Sequence, residues 1–179
     1  MITNLDTEGL RKIASDYDLF YIDLWGVIHN GLELNFSAVE TLSHLKENKK
    51  KFVLLTNAPR PNEPVINFLK KLGLKDHFEN VFTSGEAALK YLKNDLNKKK
   101  FYHIGPPRDY DLFSTFKNLK ETNINLSDYI LCTGLLETHN ENLDYYKIFL
   151  KEHLSKKMIC TNPDLIVDKG NVREYCAGS

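Results

Sequence analysis

The sequence predicts an α/β protein whose strands run parallel and are covered by helices on both faces. Three observations lead there. Strand-like and helix-like segments alternate along the 179 residues. Most strand-like segments are continuous apolar runs rather than alternating ones, the pattern of sheets buried on both sides. Those runs end on small polar residues or an acid, and in such sheets ligands collect at the carboxyl ends of the strands.

Leu19 to Leu24 is the first such run and reads as a buried strand. Phe36, Val39, Leu42 and Leu45 then recur at helical spacing, with Asn35 or Ser37 placed to cap the helix. Phe52 to Leu55 is a second strand, and the loop "TNAPRPNEP" follows, marked by its prolines and asparagines. Val65 to Leu72 is helical and stops at Gly73. Val81 to Phe82 is a short strand, and "TSGEAALKYL" is a helix entered through Thr83 or Ser84. Phe101 to Ile104 is a strand running into "GPPRD", and Asp111 to Leu119 is expected to be helical. Tyr129 to Cys132 is a strand ending in "TG", Leu143 to His153 a helix, and Met158 to Cys160 a strand ending in "TNPD". Asp23, Thr56, Thr83, Gly105, Thr133 and Asn162 therefore fall at strand ends.

Composition narrows the function. Formal net charge is zero, which gives no electrostatic case for nucleic acid or an acidic membrane surface. No apolar run approaches the ~18 residues of a membrane helix. The N-terminus lacks the pattern of a signal peptide. The three cysteines, Cys132, Cys160 and Cys176, are too sparse and irregular for a disulfide framework or a zinc site, and fit a reducing, cytoplasmic setting. The lysine stretches 49–51 and 98–100 are read as solvated turns at strand entrances.

Among the strand ends, Asp23 stands apart, because "FYIDLWGVIHNG" surrounds it with apolar residues. A carboxylate ending a buried strand suits a nucleophile or a cation ligand. Gly26 lets the backbone turn and bring amides near an anion. One strand later, the Thr56 hydroxyl and the Asn57 amide suit phosphate oxygens. Aspartate attack on a phosphoryl group would form an aspartyl-phosphate, with magnesium offsetting the repulsion of two anions.

"FYIDLWGVIHNG" followed by "FVLLTNAPRP" resembles the first two motifs of the haloacid dehalogenase superfamily. "YHIGPPRDYD", "YILCTGL" and "MICTNPDLIVDKGNVREYCAGS" resemble its subfamily IIA branch, which includes NagD-type nucleotide phosphatases and pyridoxal phosphate phosphatases. The resemblance covers nearly the whole chain, and its nearest form is a branch with an Asp-Leu-Trp-Gly-Val signature. It implies a Rossmann-like parallel-sheet core with an inserted α/β cap. Residues 1–88 would be the N-terminal part of the core, 89–172 the cap and 173–179 the start of the return to the core. It also implies that Asp23 is the nucleophile and a magnesium ligand, and that the backbone carbonyl of Trp25 is a second ligand. Thr56 and Asn57 would hold the phosphoryl group. Asn162 and Asp164 would lie where substrate contact is expected, and Arg60 or Arg108 is placed to pair with a second anionic group.

Two departures from the family pattern bear on activity. Family phosphatases usually carry a second Asp two residues after the nucleophile, which protonates the leaving oxygen; here that position is Trp25. An indole cannot do this, and losing such a group costs ~10²–10⁴-fold in rate. Dehalogenating members carry an aromatic residue there. His29 is a candidate replacement acid, against the commoner reading of a surface-loop histidine. The family's third motif, a Lys, and its fourth, an acidic pair usually written Gly-Asp, follow the cap; none of the glycines here precedes an Asp. The core is thus expected to be incomplete and the chain truncated.

The expected function is that of a magnesium-dependent phosphatase acting on a small phosphorylated metabolite, impaired in this chain. The alternative is a non-catalytic phosphate- or metabolite-binding protein that keeps the fold. A carbon–halogen hydrolase is a weaker third reading. Without a later core strand, Leu19 to Leu24 would become an edge with exposed apolar side chains. Such an edge is expected to pair with a second copy or with the absent C-terminal segment.

Overall fold

A computed structural model describes residues 5–76 and 80–179. In chain order the elements are α1 (Leu5–Glu8), β1 (Leu19–Asp23), α2 (Phe36–Glu47), β2 (Lys51–Thr56), α3 (Asn62–Lys71), β3 (Val81–Thr83) and α4 (Ser84–Asp95). Then come β4 (Phe101–Ile104), β5 (Lys120–Glu121), β6 (Tyr129–Cys132), α5 (Leu143–Glu152), β7 (Lys157–Cys160), β8 (Ile166–Lys169) and β9 (Val172–Tyr175). The fold is α/β, with a parallel sheet β1-β2-β3, a second parallel sheet β5-β4-β6-β7 and an antiparallel hairpin β8-β9. The Leu19 and Tyr129 strands belong to different sheets. Among the described residues, no helix is long and apolar enough to cross a membrane.

The first core forms because α2 and α3 lay Leu42, Leu45, Val65 and Leu69 against Leu24, Phe52 and Leu54. Each such side chain contributes ~1.5–3 kcal/mol when fully buried. Asn35 caps α2, its side chain accepting from the Ala38 amide at 3.4 Å. Thr83 caps α4: its hydroxyl oxygen accepts from the Glu86 amide at 2.9 Å and donates to the Arg60 carbonyl at 2.6 Å. The second core gathers Phe101, Leu112, Phe113, Tyr129 and Leu131, with Phe101 meeting Phe113 edge-on at 5.1 Å between ring centroids.

Two readings of single segments are corrected and one element was missed, while the expectation that β1 becomes an exposed edge is met. β1 is not a buried strand: among the described residues only β2 pairs with it, and Leu19 and Tyr21 lie exposed, Tyr21 at 68%. This is the exposed apolar edge that follows when the strand has one neighbour. The segment Asp111 to Leu119 is not an α-helix. It lies within a run of 3₁₀ turns, Pro107–Leu119, broken by non-helical backbone at Phe113 and Phe116. Both rings turn inward onto Phe101, and 3₁₀ geometry rarely sustains a long run. The hairpin β8-β9 was not anticipated, although Gly170-Asn171 between two strand-like runs is a two-residue hairpin signal.

The carboxyl ends of β4 and β6 hold a buried polar cluster. His103 and Thr133 share a 2.9 Å hydrogen bond between Nε2 and Oγ1, and Asp109 bonds the same threonine. Burial pushes the Asp109 carboxyl up to about 6 from an ordinary 3.8 and pulls His103 down to about 4. The folded state thus keeps a proton on Asp109 that the unfolded chain has already released. The stability this gives is present below about 3.8 and is lost as pH rises through about 6. Asp109→Asn is expected to stabilise the chain more at roughly pH 8 than at roughly pH 4, by about 3 kcal/mol at most. Urea unfolding midpoints at the two pH values check this; an equal change at both would sink the protonated reading.

Candidate active site

Asp23 ends β1 opposite Leu55, and the Leu24 amide donates to the Leu55 carbonyl at 3.0 Å. That pairing sets the carboxylate beside the end of β2, where Thr56 and Asn57 begin the next loop. The Thr56 hydroxyl oxygen accepts from the Ala58 amide at 3.2 Å, closing the first turn. The Asn57 side-chain amide donates to the Asp164 carboxylate at 2.8 Å. Asp164 also acts on Asp23. Asp23 is exposed; its partial burial pushes the carboxyl up, a hydrogen bond at the Leu24 backbone pulls it down, and the Asp164 charge pushes it up again. Asn57 is thus tied to Asp164, whose charge reaches Asp23, although the three come from separate stretches of chain.

The residues after Asp23 form a tight loop. The Ile28 and His29 amides both donate to the Leu24 carbonyl, at 2.9 and 3.1 Å, and the Gly26 amide donates to the His29 carbonyl at 2.7 Å. Gly26 sits at φ 78°, a left-handed value that side chains resist. The Trp25 indole turns toward the hairpin, donating from Nε1 to the Asp168 carbonyl at 2.9 Å. Its ring meets His29 edge-on at 5.2 Å. His29 is buried, not a surface-loop residue. Its Nδ1 accepts from the Gly31 amide at 3.0 Å, and Phe68 covers another side. Burial lowers its pKa and favours the neutral ring, so it holds the loop rather than standing ready as an acid.

The remaining candidates are tied into the junction between the two halves. Arg60 pairs with Asp111 at 2.6 Å, while its buried Nε has no hydrogen-bond partner among the described residues. The Asn162 side chain accepts from the Asp164 amide at 3.1 Å and so shapes the turn that presents Asp164. Ser84 donates its hydroxyl to the Thr161 carbonyl. Arg108 lies near Asp109 and lowers that carboxyl's pKa, against the stronger effect of burial. Sequence reasoning located Asp23, Thr56, Asn57, Asn162 and Asp164 individually. It missed Asp168 as the acceptor for Trp25 and Asp111 as the partner of Arg60, and no local signal marks either.

With this arrangement in view, the chain belongs to the haloacid dehalogenase-like hydrolase family, whose model matches residues 20–118. The D-glycerol 3-phosphate phosphatase of Mycobacterium tuberculosis is 31% identical over 87 residues, which are 49% of this chain and 24% of that protein. A haloacid dehalogenase-like hydrolase from Brucella suis shares the fold at a TM-score of 0.84 and 26% identity, covering 99% of this chain and 66% of that one. A glycerol phosphate phosphatase from Mycobacterium tuberculosis, solved in complex with calcium, gives a TM-score of 0.64 at 21% identity, covering 93% and 49%. NagD-type proteins share the fold as well, in keeping with the subfamily IIA resemblance. The chain thus spans less than two thirds of the length of each of these relatives.

Proposed function

We propose that the chain carries the nucleophile half of a phosphatase site acting on a small phosphorylated metabolite. The observation that supports this most directly is that Asp23 and Asn57 stand at the ends of the paired strands β1 and β2, with Asp164 bonded to Asn57 and its charge felt at Asp23. An Asp23 oxygen attacks phosphorus, the bond from phosphorus to the ester oxygen breaks, the alkoxide leaves and takes its proton from water, and an aspartyl-phosphate forms. Water then cleaves it, returning the carboxylate and inorganic phosphate. The Thr56 hydroxyl and the Asn57 amide orient the phosphoryl oxygens. Asp164 holds Asn57 in place, and Arg60 and Asn162 border the site on its substrate side. Asp23 must be ionised to attack, so its raised pKa means that activity falls away as pH drops through that value.

The donor set fits magnesium. Asp23 and the Trp25 carbonyl are hard oxygen ligands, the Asp164 charge beside them favours a cation, and magnesium commonly takes only one or two carboxylates besides water and phosphate. Among the described residues no group of three or more His, Cys, Asp and Glu is placed to hold a metal ion, so a bound magnesium would rely on Asp23, the Trp25 carbonyl, water and the phosphoryl oxygens. When bound, magnesium would supply the positive charge that offsets repulsion between Asp23 and the phosphoryl group.

The second reading is a phosphate-binding protein without turnover, favoured by Trp25 at the acid position with its indole held on Asp168. Beryllium fluoride with magnesium, a mimic of phosphoryl-aspartate, separates the readings by calorimetry. The phosphatase site binds it, and Asp23→Asn abolishes binding. A chain that binds inorganic phosphate but ignores beryllium fluoride is a binding protein. We take residues 89–172 as the cap over this site, and place the protein in the cytoplasm on its three unpaired thiols. We also assign the exposed β1 edge to pairing with a second copy. Light scattering that gives a monomer at all concentrations would end that assignment; release of the dimer by an added C-terminal segment would reassign the edge to that segment.

A further inference from the structure

Cys132 and Cys160 end neighbouring parallel strands and are direct register partners. Adjacent strands lie ~4.8 Å apart, within the ~4.4–6.8 Å between Cα atoms that a disulfide spans. Partners in register point to the same face of the sheet; the Cys132 thiol donates to the Gly134 carbonyl at 3.7 Å and the Cys160 thiol to the Asn162 carbonyl at 3.2 Å, and the two thiols influence each other's ionisation. Cys132 is buried and Cys160 is exposed, so one thiol meets oxidants and the other waits behind it. β7 has a strand on one side alone among the described residues, which leaves it free to shift toward β6. A cavity of about 320 Å³ bordered by Ile104, Cys132, Tyr146 and Leu150 gives the buried thiol room to rotate.

We propose that Cys132 and Cys160 form a reversible dithiol–disulfide pair driven by hydrogen peroxide. The Cys160 thiolate attacks one peroxide oxygen, the O–O bond breaks, and the products are a sulfenic acid and, after one proton is taken up, water. The Cys132 sulfur then attacks the Cys160 sulfur, displacing hydroxide, which leaves as water with the Cys132 proton. Two thiols lose two electrons and two protons, and peroxide becomes two waters. The interaction between the two thiols supports this order: the neighbouring Cys132 and the Asn162 backbone pull Cys160 below the usual thiol range, whereas Cys160 and burial push Cys132 up. The bond would form at the root of the segment that presents Asp164, since the Thr161 amide donates to the Cys132 carbonyl at 2.9 Å.

The test is peroxide treatment of the intact chain followed by mass spectrometry with dimedone present. The expected result is a loss of two hydrogens, a peptide linking Cys132 to Cys160, and reversal by dithiothreitol. Cys132→Ser should convert the link into a dimedone adduct on Cys160, and Cys160→Ser should show neither. The unmodified chain supplies a check that needs no variant: Cys160 alkylation should reach half its full rate at a pH well below the ~8.5 of a free thiol. A Cys160–Cys176 link, a lasting dimedone adduct on the unmodified chain without the link, or an alkylation midpoint at the ordinary value would each overturn the proposal.

Discussion

On the proposed phosphatase reading, Trp25→Asp is expected to raise turnover of phosphate monoesters by about 10²–10⁴-fold, the range that a positioned general acid supplies. Trp25 holds the position two residues beyond Asp23 where related phosphatases place that acid, and its indole is committed to the Asp168 carbonyl. A carboxyl there would protonate the leaving oxygen as the ester bond breaks. The gain should be largest for alkyl phosphates, whose leaving groups most need a proton, and smaller for nitrophenyl phosphate. Asp23→Asn in the same background should remove it. The substitution also discards the edge-on contact with His29, worth ~0.5–1.5 kcal/mol in such pairs, so thermal melts must accompany the kinetics. A folded Trp25→Asp chain with unchanged rates on both ester classes would show that residue 25 does not face the leaving oxygen.

Phe101→Ala is expected to cost about 3–5 kcal/mol, the usual range for emptying a fully buried aromatic site. Phe101 is 0% exposed and touches the rings of Phe113, Phe116 and Tyr129. Those rings hold the irregular 107–119 segment against β4 and β6, and Asp111 in that segment carries the ion pair to Arg60. Denaturant unfolding followed by tyrosine fluorescence should show the loss. Leu154→Ala, at a position 82% exposed and away from the β1 edge, should change stability by no more than ~0.5 kcal/mol. Comparable losses at both sites would mean that the second core does not rest on Phe101.

Local chemistry made much of the candidate site legible. Asp23 stood out because an acid is costly within an apolar run unless it has work there. Thr56 and Asn57 followed from the end of the next strand, and Asn35 and Thr83 were named as cap candidates because their side chains can meet free helix amides. Where sequence left two cap residues open, the hydrogen bonds chose between them. His29 was misjudged because a histidine beside Asn and Gly looks like a loop residue. Only the approach of Trp25 and Phe68 buries it.

By itself the sequence determined the α/β class, the order of most elements, the family and the residues at the strand ends, because periodicity, caps and apolar runs are local properties. Tertiary structure alone decided that Asp164 reaches across 107 residues to Asn57, that the Trp25 indole seats on Asp168, and that Cys132 and Cys160 lie side by side. It also turned an expected helix into broken 3₁₀ turns. Such outcomes depend on which distant surfaces meet. A contact between remote segments gains its energy from burial and hydrogen bonding at the point of meeting, which no window of neighbouring residues encodes.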